Sequence, residues 1–232
     1  MALVKYGGGI VGMSGSIAGN THARNRSGNY VRARTKPVNP NTALQQVVKS
    51  ALSNLTTRWA QTLTAVQRTA WNLYASNVAM KNKLGETINL TGFNHYLRSN
   101  ITLLQYGGPV IDDGPVIFEL PDADPTFAIT ASEATQEISF AYNAALDWAA
   151  ETGSHMVLYQ GQPQNAQINF FKGPWRKCSI ASGDDGGAPA SPKVAAAVFA
   201  IAEGQRLWAY ARILRADGRI SEVFTANCFC AA

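Results

Sequence analysis

The chain has 232 residues, 46% of them apolar, with a formal charge of +5. That length admits one large domain or two small ones, and the composition is ordinary for a globular protein. No run of about 18 uninterrupted apolar residues occurs, which excludes a membrane-spanning helix. The charge is divided unevenly. Residues 1–104 hold twelve Lys/Arg and one acid, Glu86, for +11, whereas residues 105–232 hold eight Lys/Arg and fourteen acids, for −6. This asymmetry predicts two units with different surroundings, the basic one facing an acidic protein surface, a nucleic acid or plain solvent.

The first twenty residues have one lysine and some apolar side chains, a weak likeness to a secretory signal that the interrupting glycines remove. Gly7-Gly8-Gly9-Ile10-Val11-Gly12 has the spacing of a dinucleotide-binding loop, but no helix start follows it and no acid occurs before Glu86, so the match is fortuitous. Residues 1–40 hold Lys5, Arg24, Arg26, Arg32, Arg34 and Lys36 and no acid. In an extended chain Tyr30, Arg32 and Arg34 fall on one side and Val31, Ala33 and Thr35 on the other. The segment has too little apolar area to offset its ordering entropy, so it is expected to be an extended basic arm that takes its shape on a companion molecule. Arg24, Arg26, Arg32, Arg34 and Lys36 are the expected charged contacts, with Tyr30 and Val31 as apolar pegs.

Pro40-Asn41-Thr42 opens a helix of about 20 residues, capped by Asn41 or Thr42, with Leu44, Val47, Val48, Ala51, Leu52, Leu55 and Trp59 as one apolar stripe. Thr64-Ala65-Val66-Gln67 is a capping box that starts a second helix, with a stripe of Val66, Ala70, Leu73, Tyr74 and Val78 and Trp71 beside it. Lys81 to Leu90 reads as a loop or short hairpin around Gly85. A third helix runs from Thr91 with Phe93, Leu97, Ile101 and Leu104 inward, ending at Gly107-Gly108-Pro109. Trp59, Trp71 and Phe93 are assigned to the core of a small three-helix bundle.

Four prolines between Gly107 and Pro125 mark a linker, after which the periodicity changes to two. Strands are expected at 127–129, 137–142, 155–160, 168–171, 178–181, 194–201, 206–214 and 220–228, with a hairpin turn at Ala216-Asp217-Gly218. Seven or eight short strands predict an antiparallel β-sandwich of the immunoglobulin or fibronectin III type, with Tyr210 a candidate for a corner tyrosine. The predicted organisation is therefore α+β in two parts: an extended arm (1–40), a helical domain (41–106), a linker (107–125) and a β-sandwich (126–232).

No catalytic constellation is found. His22, His95 and His155 have no metal-ligand spacing, and Cys178, Cys228 and Cys230 fit no zinc pattern, so no metal or cofactor is expected. The cysteines are expected to be buried or idle thiols, an intersubunit disulfide through the C-terminal tail being the alternative. Asp112-Asp113 and Asp184-Asp185 read as solvated loop acids. A spatial carboxylate pair leaves no sequence signature. The reading is of a non-enzymatic protein.

The glycine-rich start, Asn29-Tyr30-Val31-Arg32-Ala33-Arg34, Pro37-Val38-Asn39-Pro40, Thr42, Gln45 or Gln46, and Leu63-Thr64-x-x-Gln67-Arg68-x-Ala70-Trp71 together resemble a family of structural proteins of tailed bacteriophages and prophages. In those proteins a fibronectin-like sandwich often follows, as Gly218-Arg219-Ile220-Ser221 suggests here. The specific likeness covers about residues 7–100. It implies a virion component and carries over no catalytic residue. The resemblance does not imply which component; the role expected first is a capsid decoration or minor capsid protein, and the alternative a head–tail or tail-associated one. Its partners would be the major capsid protein or other virion proteins and copies of itself. The rival from another class is a nucleic-acid-binding protein using the same arm, and a third reading is a host-binding sandwich in which residues 126–232 attach to glycans or cells.

Overall fold

The computed structural model describes residues 2–82, 84–105, 107–184 and 186–232, so Asp185 of the Asp184-Asp185 pair lies outside the described residues. The fold is mixed α+β, with an N-terminal strand region, three helices and a separate β-rich domain. Two compact units divide it: Met1–Leu97 with Ile101–Asp112, and Arg98–Asn100 with Asp113–Ala232.

The expected extended arm is instead a small sheet. β1 (Ala2–Leu3), β2 (Gly15–Ile17), β3 (Asn20–Asn25) and β4 (Gly28–Ala33) pair antiparallel in the order β1-β4-β3-β2. The β3–β4 turn forms because the Asn25 side-chain oxygen accepts from the Ser27 amide (2.9 Å) and Gly28 takes φ 112°, a left-handed conformation that suits glycine. Local turn chemistry thus closes a hairpin that alternation alone leaves as a single strand. The pairing sets Tyr30, Arg32, Ala23 and Thr21 on one face and Val31, Ala33, His22 and Arg24 on the other. Neither face is fully covered: no described residue before Ala51 is buried, although Tyr30 and Val31 are half-buried. β2 is one of the two edge strands, and residues 7–23 contain no Lys, Arg, Asp or Glu.

α1 (Ala43–Gln61) is capped by Thr42, whose hydroxyl accepts from the Gln45 amide (3.3 Å). Its apolar stripe divides in two. Ala51 and Leu55 are buried, but Leu44 is 63% and Val47 54% exposed, and Val48 and Leu52 are also open. The first turns of α1 therefore carry an apolar face left open by the described residues. α2 (Ala65–Asn77) starts at the expected capping box, with Thr64 and Gln67 bonded reciprocally. Its buried face is Trp71, Tyr74, Ala75 and Val78, while Val66 and Leu73 point outward, a rotation from the expected stripe. β5 (Ala79–Lys81) and β6 (Thr87–Asn89) form the hairpin around Gly85. In α3 (Gly92–Leu104) the buried positions are His95, Tyr96, Ser99, Asn100 and Leu103, and Phe93, Leu97, Ile101 and Leu104 are only half-buried. Aromatic bulk decided these rotations. Trp71 meets Tyr96 edge-on (ring centroids 5.7 Å) and Tyr74 meets His95 (5.0 Å), while Trp59 packs between Phe93 and Tyr96 (5.5 and 5.3 Å).

Asp112 is no solvated loop acid. Its carboxylate accepts a forked pair of bonds from Arg58 (2.7 and 2.5 Å) and one from the Tyr96 hydroxyl (3.4 Å), and its carbonyl accepts from the Trp71 indole (2.9 Å). One residue thereby joins α1, α2 and α3. Burial, with the Asp112 charge adding to it, pushes the Tyr96 hydroxyl up to about 12.

In the second unit β7 (Ala128–Ser132), β8 (Glu137–Ala141), β9 (His155–Gly161), β10 (Trp175–Ser182), β11 (Lys193–Ala196), β12 (Arg206–Leu214) and β13 (Phe224–Ala231) form one sheet ordered β10-β9-β12-β13-β7-β8-β11. All neighbours are antiparallel except β13–β7, a parallel pair of two residues on each strand. The sheet curls into a near-closed barrel whose edge strands meet at Cys178, which donates to the Ala196 carbonyl (3.5 Å). Alternation fills the interior with Ile129, Ile138, Phe140, Met156, Leu158, Leu207, Ala209, Ala211 and Ile213 around Trp148.

Two expected strands changed. Residues 168–171 lie in the β9–β10 connection, where Phe171 stacks on Trp208 (5.4 Å) over Gly161, the one residue there without a Cβ to collide with the ring. Of 194–201, only the start is strand. Beyond Ala196 the backbone is held by side chains: Gln160 accepts from the Val198 amide (2.6 Å) and Gln136 bonds both polar groups of Ile201. The 216–218 turn is as expected, with the Arg219 amide donating to Asp217. Tyr210 is no corner tyrosine: it faces outward and stacks on Tyr159 (4.4 Å).

Asp112→Ala removes the acceptor that serves both Arg58 and Tyr96. We expect a loss of about 1–2 kcal/mol, kept small because Arg58 is 40% exposed and screened. Urea denaturation followed by tryptophan fluorescence measures it, and no change in the midpoint contradicts the clamp.

Candidate partner-binding surface

The seven residues expected to contact a partner all lie in the N-terminal sheet or just after it. Arg24 and Arg32 sit on opposite faces, on β3 and β4, and are exposed. Tyr30 and Val31 are half-buried, Tyr30 paired with Ala23 and Leu3, Val31 with His22 and Ala2. Arg34 follows β4, its amide bonded to the Gly19 carbonyl (2.8 Å), and Lys36 is exposed beyond it. Among the described residues, the side chains of Arg24, Arg32, Arg34 and Lys36 meet no acid. Arg26 differs, because its guanidinium donates to the Asn89 carbonyl of β6 (3.1 Å). Lys5, the remaining base, pairs with Glu86 (2.5 Å) and holds that carboxyl below its ordinary range.

The structure therefore brings the cations together on a sheet, not along a strand, and divides them between its two faces. Sequence reading missed a neighbouring contribution. The open stripe of Leu44, Val47, Val48 and Leu52 looks like core in a helical repeat, and periodicity carries no signal that distinguishes a covered face from an uncovered one. The first unit holds eleven Lys/Arg against Glu86 and Asp112, for +9, and the second nine against thirteen acids, for −4. The first unit is thus a cationic body with free apolar area.

Side chains with chemical potential lie elsewhere and apart. His22 bonds the Tyr6 hydroxyl (3.0 Å), His95 is buried in α3, and the His155 ring bonds Ser182 (3.2 Å). Among the described residues no three His, Cys, Asp or Glu gather as metal ligands. A depression of about 380 Å³ beside α1, lined by Asn54, Leu55, Thr57, Arg58, Thr62, Leu104 and Val110, offers as a charge only Arg58, already committed to Asp112. The three cysteines are free thiols. Cys228 and Cys230 point to the same side of β13, into the barrel. Burial pushes Cys178 and Cys228 up to about 11, so both are neutral, weakly nucleophilic thiols near pH 7.

The sequence matches no family model and no curated protein.

The thiol shifts have a definite sign. A folded-state value above the unfolded one means that the native state keeps its proton more tightly, so this stabilisation is complete below the unfolded value near 9 and is lost as pH rises toward 11. Iodoacetamide should label Cys178 and Cys228 slowly at pH 7.5 and sharply faster above pH 10, while urea releases both at either pH. Rapid labelling of the native protein at pH 7.5 contradicts this assignment.

Proposed function

We propose that the protein is a non-enzymatic structural component of a tailed-phage particle, with its first fifty residues as the part that joins a neighbour. Capsid decoration or a minor capsid role is the leading form, and a head–tail or tail-associated role the second. One observation carries the reading: four strands and the first two turns of α1 are formed without a single buried residue. A sheet of that size needs a covered apolar face or a packed helix to persist, and this one has neither within its own unit. An acidic, partly apolar surface on a virion protein would supply both, pairing with Arg24, Arg32, Arg34 and Lys36 and covering Leu44, Val47 and Val48. Copies in a repeated shell reinforce one another, so each contact needs only modest strength.

The sandwich belongs to the same proposal. Read across its two-residue parallel join, the strand order separates into β7-β8-β11 and β10-β9-β12-β13, an arrangement that supports an immunoglobulin- or fibronectin-like module.

Hydrogen exchange tests the incompleteness of the first unit. In the isolated chain the amides of β1–β4 should exchange before those of β9 and β12, and become protected once the chain is in particles of the phage or prophage that encodes it. Equal protection in the isolated chain contradicts the reading. A chain lacking residues 1–40 should fail to enter those particles.

The four cations without acids also favour a second reading, duplex DNA bound by its phosphates. A gel shift at low and at moderate salt separates the two. The assembly reading expects weak binding at low salt only. A robust shift that falls steeply with salt and ignores sequence moves the assignment to nucleic acid.

A further inference from the structure

Strands β9, β10, β12 and β13 and the connection 162–174 contain no acid, although their unit carries thirteen. Their cations are Lys172, Arg176, Lys177, Arg206 and Arg212. The outward side chains of this part of the barrel follow from register. Lys177, Tyr159, Tyr210 and Thr225 make one row across the four strands, Trp175, Trp208 and Asn227 the next, and Arg206 with Phe229 the last. The face is thus cationic and aromatic within an acidic unit.

At its open end the groups are held in place by Arg206. Its guanidinium lies over the rings of Trp208 (5.1 Å) and Phe229 (5.5 Å) and donates to the side-chain oxygen of Asn227 (3.1 and 2.9 Å), to that of Asn169, and to the Ile168 carbonyl (3.2 Å). A guanidinium only donates, so both asparagines must turn their oxygens to it. Both amide NH2 groups consequently aim away from Arg206, and neither has a partner among the described residues. Beside them Phe170 is 75% and Phe229 58% exposed. Two preset amide donors and two exposed rings, on a face without acids, form a recognition surface for a hydroxyl- and carboxylate-bearing ring.

We propose that this face binds an acidic polysaccharide, a chain of uronate-bearing sugars. The CH faces of the sugar rings lie on Phe170 and Phe229, hydroxyl and carboxylate oxygens accept from Asn169 and Asn227, and Lys177 supplies the opposite charge. The ring arrangement favours sugar over single-stranded nucleic acid. Successive bases need successive free ring faces, whereas Tyr159 and Tyr210 stack on each other, as do Phe171 and Trp208. The proposal rests on the second unit alone and stands whether or not the first unit docks on a virion protein.

Affinity electrophoresis of the full chain in gels containing polygalacturonate, neutral dextran or no polymer tests it, with a thymidine 30-mer as soluble competitor. Polygalacturonate should retard the protein, dextran should not, and the oligonucleotide should not relieve the retardation. Asn227→Ala, Phe229→Ala and Lys177→Glu should each weaken binding about tenfold. Arg24→Glu with Arg32→Glu on the N-terminal sheet should leave it unchanged. The three face variants alter exposed side chains; because Lys177→Glu and the Arg24/Arg32 pair also change net charge, retardation is read for each variant as the ratio to its own mobility without polymer. No retardation, equal retardation by dextran, relief by the oligonucleotide, or loss in the Arg24/Arg32 variant in place of the face variants would each overturn the assignment.

Discussion

Hydrogen bonding is complete in places where burial is missing, and much of this protein follows from that imbalance. β1–β4 pair with one another in register, yet the sheet encloses nothing. A backbone ladder contributes little net stability in water, since solvent offers the same bonds to the open chain. What normally decides between ordered and disordered sheet is the apolar area removed from water, at roughly 25 cal/mol per Å². Here that term is nearly empty, and two polar ties, Arg26 to Asn89 and Lys5 to Glu86, are what the sheet has in its place. Both are exposed contacts that solvent screens, so neither substitutes for buried apolar area.

The second unit solves the opposite problem. Its interior is dense, and its difficulty is the polar backbone left over where strands stop short. β11 has only four residues; the Ala197 amide still meets the Gln136 carbonyl (2.8 Å), and the backbone beyond it turns to side chains for partners. Buried Gln160 and the half of Gln136 that reaches Ile201 act as substitute strand edges, each offering an acceptor and a donor to that backbone. Asp124 does similar work at the other end, taking bonds from Thr126 and from the Asn143 amide. Side chains thus finish the pairing that strand length does not.

Local chemistry was legible in the sequence, and phase was not. Thr42, the Thr64–Gln67 box, the Gly85 hairpin and the Asp217-Gly218 turn are decided by neighbours within a few residues, and each lies where the pattern places it. The inward faces of α2 and α3 are decided by Trp71, Tyr96 and His95 finding one another across the fold, and by Asp112 arriving from 41 residues beyond Trp71. The arm was legible as basic and unburied, but not as a sheet, because its pairing depends on turns at Ala18-Gly19 and Arg26-Ser27 that an alternation pattern does not reveal. The outer-face cluster was invisible for a similar reason. Arg206, Asn169 and Asn227 are 37 and 21 residues apart, and no linear motif joins an arginine to two such amides.

The neutral, uncovered β2 strand has a consequence for how the protein must be produced. Strand margins are ordinarily guarded by lysine, proline or a bulge, and Gly15–Ile17 has none of these in a run of seventeen uncharged positions. An unguarded margin can pair with the same margin on a sister molecule. High concentrations of the free chain would therefore drive edge-to-edge clumping, and dosage becomes part of what keeps the chain usable.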